Sequence, residues 1–285
     1  MKNETIIFPA RFNKDKDKWE YLSSIGPNIN TDILTFVTYN IWFDDFFFKE
    51  RFQATSKLLK NTNADIIALQ EITDDSLELL LQEDWVKDNY FISDISGSTF
   101  HSYGVILLSK IPLKNLYLYQ LPSIMDRKVL IAEFVINEKK MLISTTHLES
   151  MKLSSSIRSI QLKEIFELLN DSNNSVLMGD FNFCSSWEEN TNIESSYLDF
   201  WEVLQTNESG YTEDTNMNVM TRHKKGKVKG VRFDRIISRS VENEWKPKKI
   251  NRIGMQSISA ELPDIFPSDH FGLFGVLEWE NILPS

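Results

Sequence analysis

Ser175-Val176-Leu177-Met178-Gly179-Asp180-Phe181-Asn182-Phe183 is the stretch around which the rest of the chain can be ordered. A short apolar run carries the backbone inward and delivers a carboxylate and an amide two residues apart. On an extended backbone, period two puts Asp180 and Asn182 on one side. Gly179 lets the main chain come close to another element. Read alone, Gly-Asp-x-Asn also suits a turn, because Asp and Asn both favour turns. Its recurrence gives it weight, since several other apolar strands also end in an isolated polar residue. Such strand ends can hold and activate a small polar species such as water.

Working outward, Leu142-Ile143-Ser144-Thr145-Thr146 ends at His147. Ile33-Leu34-Thr35-Phe36-Val37-Thr38-Tyr39 ends at Asn40, and Asp65-Ile66-Ile67-Ala68-Leu69-Gln70 ends at Glu71. Val231 to Ile237 is a strand that holds Asp234, and Phe271 to Trp279 is a last strand directly after Ser268-Asp269-His270. Tyr103 to Ser109 is another strand, and Val129 to Ile136 with Lys140 to Thr145 reads as a hairpin around Asn137-Glu138. Lys49 to Asn61, residues 74–88 and Ser154 to Leu169 read as helices; Ile157, Ile160, Ile165, Leu168 and Leu169 form the apolar face of the last. Residues 185–230 read as loop and short helix. Residues 1–31 are polar, with the charge run Lys14-Asp15-Lys16-Asp17-Lys18 and then Gly26-Pro27. They read as an irregular extension docked through Trp19 and Tyr21, ahead of one domain over 32–281. Short strands with hairpin-like pairs and a few helices indicate an α/β layered sandwich and not a doubly wound sheet.

At 285 residues, with 41% hydrophobic and 25% charged residues, the chain has the composition of a globular protein. Its single cysteine excludes an intramolecular disulfide framework and fits a reducing compartment. Met1-Lys2-Asn3-Glu4-Thr5 leads into no apolar segment, so no secretory signal is expected. No apolar run approaches the roughly 18 residues of a membrane span. An intracellular protein, nuclear or cytoplasmic, monomeric and without a membrane partner, is expected. The net charge of −10 argues against a general nucleic-acid coat protein. Residues 215–255 nevertheless hold 12 Lys/Arg against 3 Asp/Glu. That is either a basic face for a phosphate backbone or a solvated loop.

Glu71 at the end of a buried strand is costly unless paired or metal-bound, and a hard oxygen ligand suits Mg²⁺. Asn40 can orient Glu71 or a water, or start a turn. His147 and His270 stand out among only four histidines. Asp234 lies within Arg232-Phe233-Asp234-Arg235-Ile236, where it can fix the tautomer of a histidine or pair with a neighbouring arginine. Together these side chains make a set for hydrolysing a phosphate ester: a metal neutralises phosphate oxygens, a carboxylate and an amide position water, and imidazoles stabilise developing charge.

In order along the chain, Thr38-Tyr39-Asn40, Leu69-Gln70-Glu71, Gly179-Asp180-Phe181-Asn182 and Ser268-Asp269-His270 resemble the markers of the endonuclease/exonuclease/phosphatase superfamily. Within it, Thr146-His147-Leu148-Glu149-Ser150, Arg158 with Gln161-Leu162, Met125-Asp126-Arg127, Tyr211 to Thr215 and Arg232 to Ile236 are similar to the branch that cleaves 5′-tyrosyl-DNA linkages. The similarity runs from about residue 33 to 279. It implies a four-layered α/β sandwich of the DNase I type, with the site between two mixed sheets. It implies Glu71 holding Mg²⁺ (Mn²⁺ as a substitute), with support from Asn40 and from Asp269 through water. Asp180 and Asn182 would position and activate water, His147 and His270 would clamp the phosphate, and Asp234 would orient His270. Tyr103, Arg127, Ser150, Arg158, Lys224, Lys225 and Arg232 would contact substrate. The implied reaction is hydrolysis of the 5′-phosphotyrosyl bond left by a trapped topoisomerase II, on single-stranded or frayed DNA ends, in DNA repair. A nuclease, an RNA deadenylase, or a lipid or inositol phosphatase is the alternative on the same machinery. Three departures bear on substrate preference: Glu213 where the family usually has Trp, Trp42-Phe43-Asp44-Asp45 in place of Asp-Gly, and a longer, more basic Thr221 to Gly230 segment.

Overall fold

The computed structural model describes residues 4–23 and 28–280; the Gly26-Pro27 break lies outside them. In chain order the strands are β1 (Glu4–Ile7), β2 (Ala10–Asn13), β3 (Lys18–Tyr21), β4 (Ile33–Asn40), β5 (Ile66–Ile72), β6 (Phe91–Ile92), β7 (Gly104–Ser109), β8 (Asn115–Gln120), β9 (Lys128–Ile136), β10 (Lys139–His147), β11 (Asn174–Asp180), β12 (Leu198–Asp199), β13 (Glu213–Asp214), β14 (Gly230–Val231), β15 (Asp234–Ser240), β16 (Trp245–Ile253) and β17 (Gly272–Trp279). The α-helices are α1 (Phe48–Thr62), α2 (Asp74–Gln82), α3 (Asp84–Asn89), α4 (Ser155–Leu169), α5 (Phe200–Leu204) and α6 (Val219–Lys225).

A seven-stranded sheet runs β1-β8-β9-β10-β11-β15-β12, and an eight-stranded sheet runs β16-β17-β4-β5-β7-β6-β2-β3. Each contains a parallel pair, β4 with β5 and β10 with β11; their other pairings are antiparallel. Parallel neighbours need a crossover, which α1 and α4 supply. Alternation along the strands then sorts the apolar residues into layers. Phe36, Ile66, Ala68, Leu130, Ile143, Val176, Met178 and Ile236 pack between the sheets. Val37, Tyr39, Ile67 and Leu69 point the other way, onto the layer of α1, α2 and α3. Leu142, Leu177 and Ile237 meet Leu162, Ile165 and Phe166 of α4. The result is the expected helix–sheet–sheet–helix sandwich. Near the site end the sheets are tied by a polar bridge. Buried Gln70 donates to Thr145 Oγ1 and exchanges a hydrogen bond with Thr38. Each such bond contributes roughly 1 kcal/mol net, but stranding a buried amide costs about 1–3 kcal/mol.

Most expected elements fall within a residue or two of their places, with four corrections. The stretch read as an irregular extension supplies strands to both sheets. β1 pairs with β8, and the β2–β3 hairpin joins the eight-stranded sheet through β6. Trp19 does dock, donating to the Leu81 carbonyl, whereas Tyr21 is half exposed. The helix over 74–88 is broken at Glu83, where ψ of 120° is extended. The strand from Val231 breaks between β14 and β15. Beyond Asp180 the chain is no longer extended, since Asn182 is left-handed with φ of 56°. Among the described residues no helix is long and apolar enough to cross a membrane.

Candidate active site

The inward-facing positions of β4 are 34, 36 and 38, so the next is Asn40. By the same alternation β10 ends inward at His147, β11 ends inward at Asp180, and β15 starts inward at Asp234. Register puts His147 beside Asp180 and Asp180 beside Asp234. Four polar strand ends thus converge at one mouth of the sandwich because the same parity that builds the core runs out there. Gly179 makes this possible. Its φ is 141°, and a Cβ would lie 1.9 Å from the Thr146 carbonyl oxygen. The close approach expected of this glycine is to the neighbouring strand.

Glu71 breaks the parity. Following Gln70, it would face the helix layer. Instead β5 carries a register shift between Gln70 and Ile72, and Glu71 sits at φ of 62°. A bulge with one left-handed residue re-aims a side chain, and here it turns the carboxylate to the site. Asn40 Nδ2 donates to Glu71 Oε1 and to Asp180 Oδ2, both at 3.1 Å. The Phe43 N–H donates to Glu71 Oε2 at 3.0 Å, and the Trp42 N–H to Asn40 Oδ1 at 3.0 Å.

The two imidazoles are set in opposite states. Arg127 Nη1 lies 3.1 Å from His147 Nδ1. A guanidinium can only donate, so Nδ1 accepts and Nε2 carries the proton. Burial and the Arg127 charge push His147 down to about 3, which keeps it neutral. Its Nε2 points at Asp180 Oδ2, 3.4 Å away. His270 Nδ1 lies 2.7 Å from Asp234 Oδ2. Burial would lower the pKa of His270, but the charges of Asp234, Asp269 and Asp180 outweigh it and raise it well above the usual value. His270 is therefore an imidazolium, with Nε2 4.0 Å from Asp180 Oδ2. One neutral and one cationic N–H donor thus face the same carboxylate oxygen across a gap. Asp180 Oδ1 is held by the Asn182 N–H at 2.8 Å, and Asn182 Nδ2 donates to the Leu148 carbonyl at 3.0 Å.

Glu71 itself is the test of whether a divalent ion suits this site. Burial, and next the charge of Asp269, push its carboxyl up to about 7. Two carboxylates crowding one corner, with hard oxygen donors, are the condition a divalent ion relieves. Among the described residues another group, Asp180, Asp234 and His270, brings ligand atoms within 4.8 Å of one another. There His270 Nδ1 is already bonded to Asp234 Oδ2 at 2.7 Å, which leaves Nε2 as the ring nitrogen facing Asp180.

The remaining expected contacts divide. Tyr103 stands beside His147, with ring centroids 6.2 Å apart. Ser150 Oγ accepts from Arg127 Nη2 at 2.9 Å. Arg127 is buried and turns its Nη1 to His147 and its Nη2 to Ser150, so it braces the site from behind. Arg158 is buried too; it pairs with Glu189 and donates to the carbonyls of Glu149 and Met151, which fixes the turn that carries Ser150. Arg232 pairs with Asp199 and Glu202 away from the site, and it has no surface to offer DNA. Lys225 bridges Glu213 Oε1 at 3.0 Å and Asp269 Oδ2 at 3.3 Å, while Lys229 holds Glu213 Oε2 at 2.8 Å. Burial alone would raise the Glu213 carboxyl, but His270, Lys225 and Lys229 hold it low. The buried Glu213 and two lysines of the basic segment thus form one charge cluster. Lys224 pairs with Asp44. Much of the basic stretch is counter-charge for the fold, as Lys246 and Lys248 with Glu280 also show. Sequence reasoning did not single out Thr212 or Phe43 for a role here. Thr212 Oγ1 accepts from the Phe233 and Asp234 N–H groups. Phe43 reaches Glu71 through its main chain, a contact that leaves no side-chain signature.

A family model described as the endonuclease/exonuclease/phosphatase family matches residues 37–270. Tyrosyl-DNA phosphodiesterase 2 of Xenopus laevis is 30% identical over 250 residues, covering 84% of this chain and 65% of that protein. The Homo sapiens protein of the same name is 27% identical over 270 residues, covering 88% and 71%. The chain spans about two thirds of the length of the curated relatives it matches. Truncated TDP2 of Caenorhabditis elegans superposes with a TM-score of 0.73 at 26% identity, covering 86% of this chain and 97% of that one. TDP2 of D. rerio, solved with a single-strand DNA product, gives 0.74 at 23% identity, covering 87% and 100%.

Proposed function

The chain belongs to the endonuclease/exonuclease/phosphatase family, and on that premise we propose that it is a Mg²⁺-dependent phosphodiesterase that removes tyrosyl adducts from single-stranded or frayed 5′ DNA ends. One observation carries the reading. Asp180 Oδ2 is faced by the Nε2 atoms of both His147 and His270 and bonded by Asn40, which also holds Glu71. The names of the relatives supply the substrate.

A phosphate entering the gap takes hydrogen bonds from His147 Nε2–H and from the His270 imidazolium. Charge-assisted donors aimed where negative charge grows stabilise the transition state. Asp180, fixed by the Asn182 N–H and Asn40, accepts the proton of the attacking water. Asn182, anchored through its Nδ2, leaves Oδ1 to that water. Asp234 keeps His270 charged. Glu71 and Asp269 would hold the divalent ion, which when bound neutralises phosphate oxygens. On this reading the protein meets its substrate inside the cell, and we propose that it acts there as a monomer.

The test is release of tyrosine from a 5′-tyrosyl oligonucleotide, beside abasic DNA, poly(A) and sphingomyelin. Release with Mg²⁺ from the tyrosyl substrate above the others, abolished by EDTA and by Asp180→Asn, is expected. A folded, metal-loaded sample that leaves this substrate intact would reject the proposal.

A further inference from the structure

The segment between Asn40 and α1 is Ile41-Trp42-Phe43-Asp44-Asp45-Phe46-Phe47. It has no helix or strand of its own, yet it is tightly held. The buried Arg51 guanidinium donates to the carbonyls of Ile41, Trp42, Phe46 and Pro267, and also to that of Asp44. It also lies over the Trp42 ring, with Lys224 on the same ring and on that of Phe46. This fixed loop holds three phenylalanines out in solvent: Phe43 is 47% exposed, Phe46 37% and Phe47 38%. Exposed apolar groups on a rigid frame mark a contact surface more often than scattered single residues do.

The direction of the Phe43 ring narrows the contact. It stacks on Tyr103 with centroids 4.7 Å apart and planes 8° from parallel. Tyr103 in turn stands next to His147. The same Phe43 donates its N–H to Glu71. A stacked pair of rings, Tyr103 inside and Phe43 outside, therefore stands beside the imidazole that faces the phosphate position, with Tyr103 tilted 42° to it. A planar group tethered to that phosphate can extend the pair. The proposed substrate carries two, the tyrosyl ring and the first nucleobase, and stacking of a base needs no sequence-specific hydrogen bonds.

We propose that Phe43, backed by Tyr103 and held by the Arg51-pinned loop, is the stacking platform for the unpaired base nearest the phosphate in the active site. This rests on the reading of the chain as acting on single-stranded DNA ends. The experiment is fluorescence anisotropy with two 5′-phosphorylated, 3′-labelled thymidine octamers, one of them abasic at its first nucleotide. The wild-type chain, Phe43→Leu and Phe43→Tyr are compared with Mg²⁺ present. Leu keeps apolar bulk without a ring, and Tyr keeps the ring. The wild type should bind the intact strand about tenfold more tightly than the abasic one. Phe43→Leu should erase that difference and leave abasic-strand binding unchanged, and Phe43→Tyr should restore it. Equal weakening of both strands by Phe43→Leu, or weakening of neither, would overturn the platform while leaving the proposed function standing. Wild-type binding to neither strand would also overturn the platform, and cleavage of the 5′-tyrosyl oligonucleotide by the same sample then decides the proposed function separately.

Discussion

At Glu71 a strained backbone delivers a carboxylate that burial and Asp269 hold half protonated near neutrality. Its pKa of about 7 lies above the ordinary 4.5. Without a cation, the fold therefore binds an extra proton that the unfolded chain does not. Stability from this group is present at acid pH and is lost as pH rises from about 4.5 to 7. A divalent ion competes with that proton. The rise in melting temperature on adding Mg²⁺ should be small at pH 5, grow through pH 7 and level off by pH 8, as differential scanning fluorimetry would show. Asp234 acts on charge and not on contact area. Asp234→Asn keeps the shape but removes a charge that holds His270 cationic. Turnover of a 5′-tyrosyl oligonucleotide should fall about 100-fold with KM little changed, read from steady-state kinetics. Asn40, His147 and Asp180 were legible in the sequence because each closes an apolar strand, and Asp234 because it is an acid within one. Glu71 was legible as a strand end, but its direction was not, because a bulge leaves no mark in a pattern of alternation. Arg127 was legible as a site residue but not as the partner of His147, which is a contact between β10 and the chain ahead of β9.

β11 carries its function through one tight crossing. Gly179→Ala would drive a methyl group into the Thr146 carbonyl at a φ that L-residues avoid. A loss of about 3 kcal/mol or more in urea unfolding is expected, with strand pairing at the site the first casualty. α6 shows how a basic side chain on one element serves acids on two others. Lys225 sits between Glu213 and Asp269, so its ammonium competes with any divalent ion at that corner. Removing one charge a few ångströms away in a water-like dielectric is worth roughly 1 kcal/mol. Lys225→Met should thus bind Mn²⁺ about fivefold more tightly by calorimetry, and Lys225→Arg should match the wild type. Charge counting found this segment but could not tell a DNA-facing surface from internal counter-charge, because the acids that pair with it lie far off in the chain. β1, β2 and β3 were hidden for a related reason. They are short, largely solvent-facing strands at the sheet margins; β1 is defined by β8, β2 by β6, and β3 by β2 in turn.

Over the whole molecule, two parallel pairs with helical crossovers bring their carboxyl ends to one mouth, and antiparallel β15 and β17 bring Asp234 and the Asp269-His270 pair there from the other direction. The layering could be read from unbroken apolar runs such as Phe36-Val37 and Val176-Leu177-Met178, which need cover on both faces. The convergence could not, since no local pattern records which strand ends meet. The account stands on that convergence being a place where water attacks phosphorus. Hydrolysis of a 5′-tyrosyl oligonucleotide in H₂¹⁸O, followed by mass spectrometry of both products, tests it most directly. One ¹⁸O in the 5′-phosphate and none in tyrosine, dependent on Mg²⁺ and lost in Asp180→Asn, is the expected result. Label in the tyrosine hydroxyl, or hydrolysis that persists undiminished in EDTA, would contradict it.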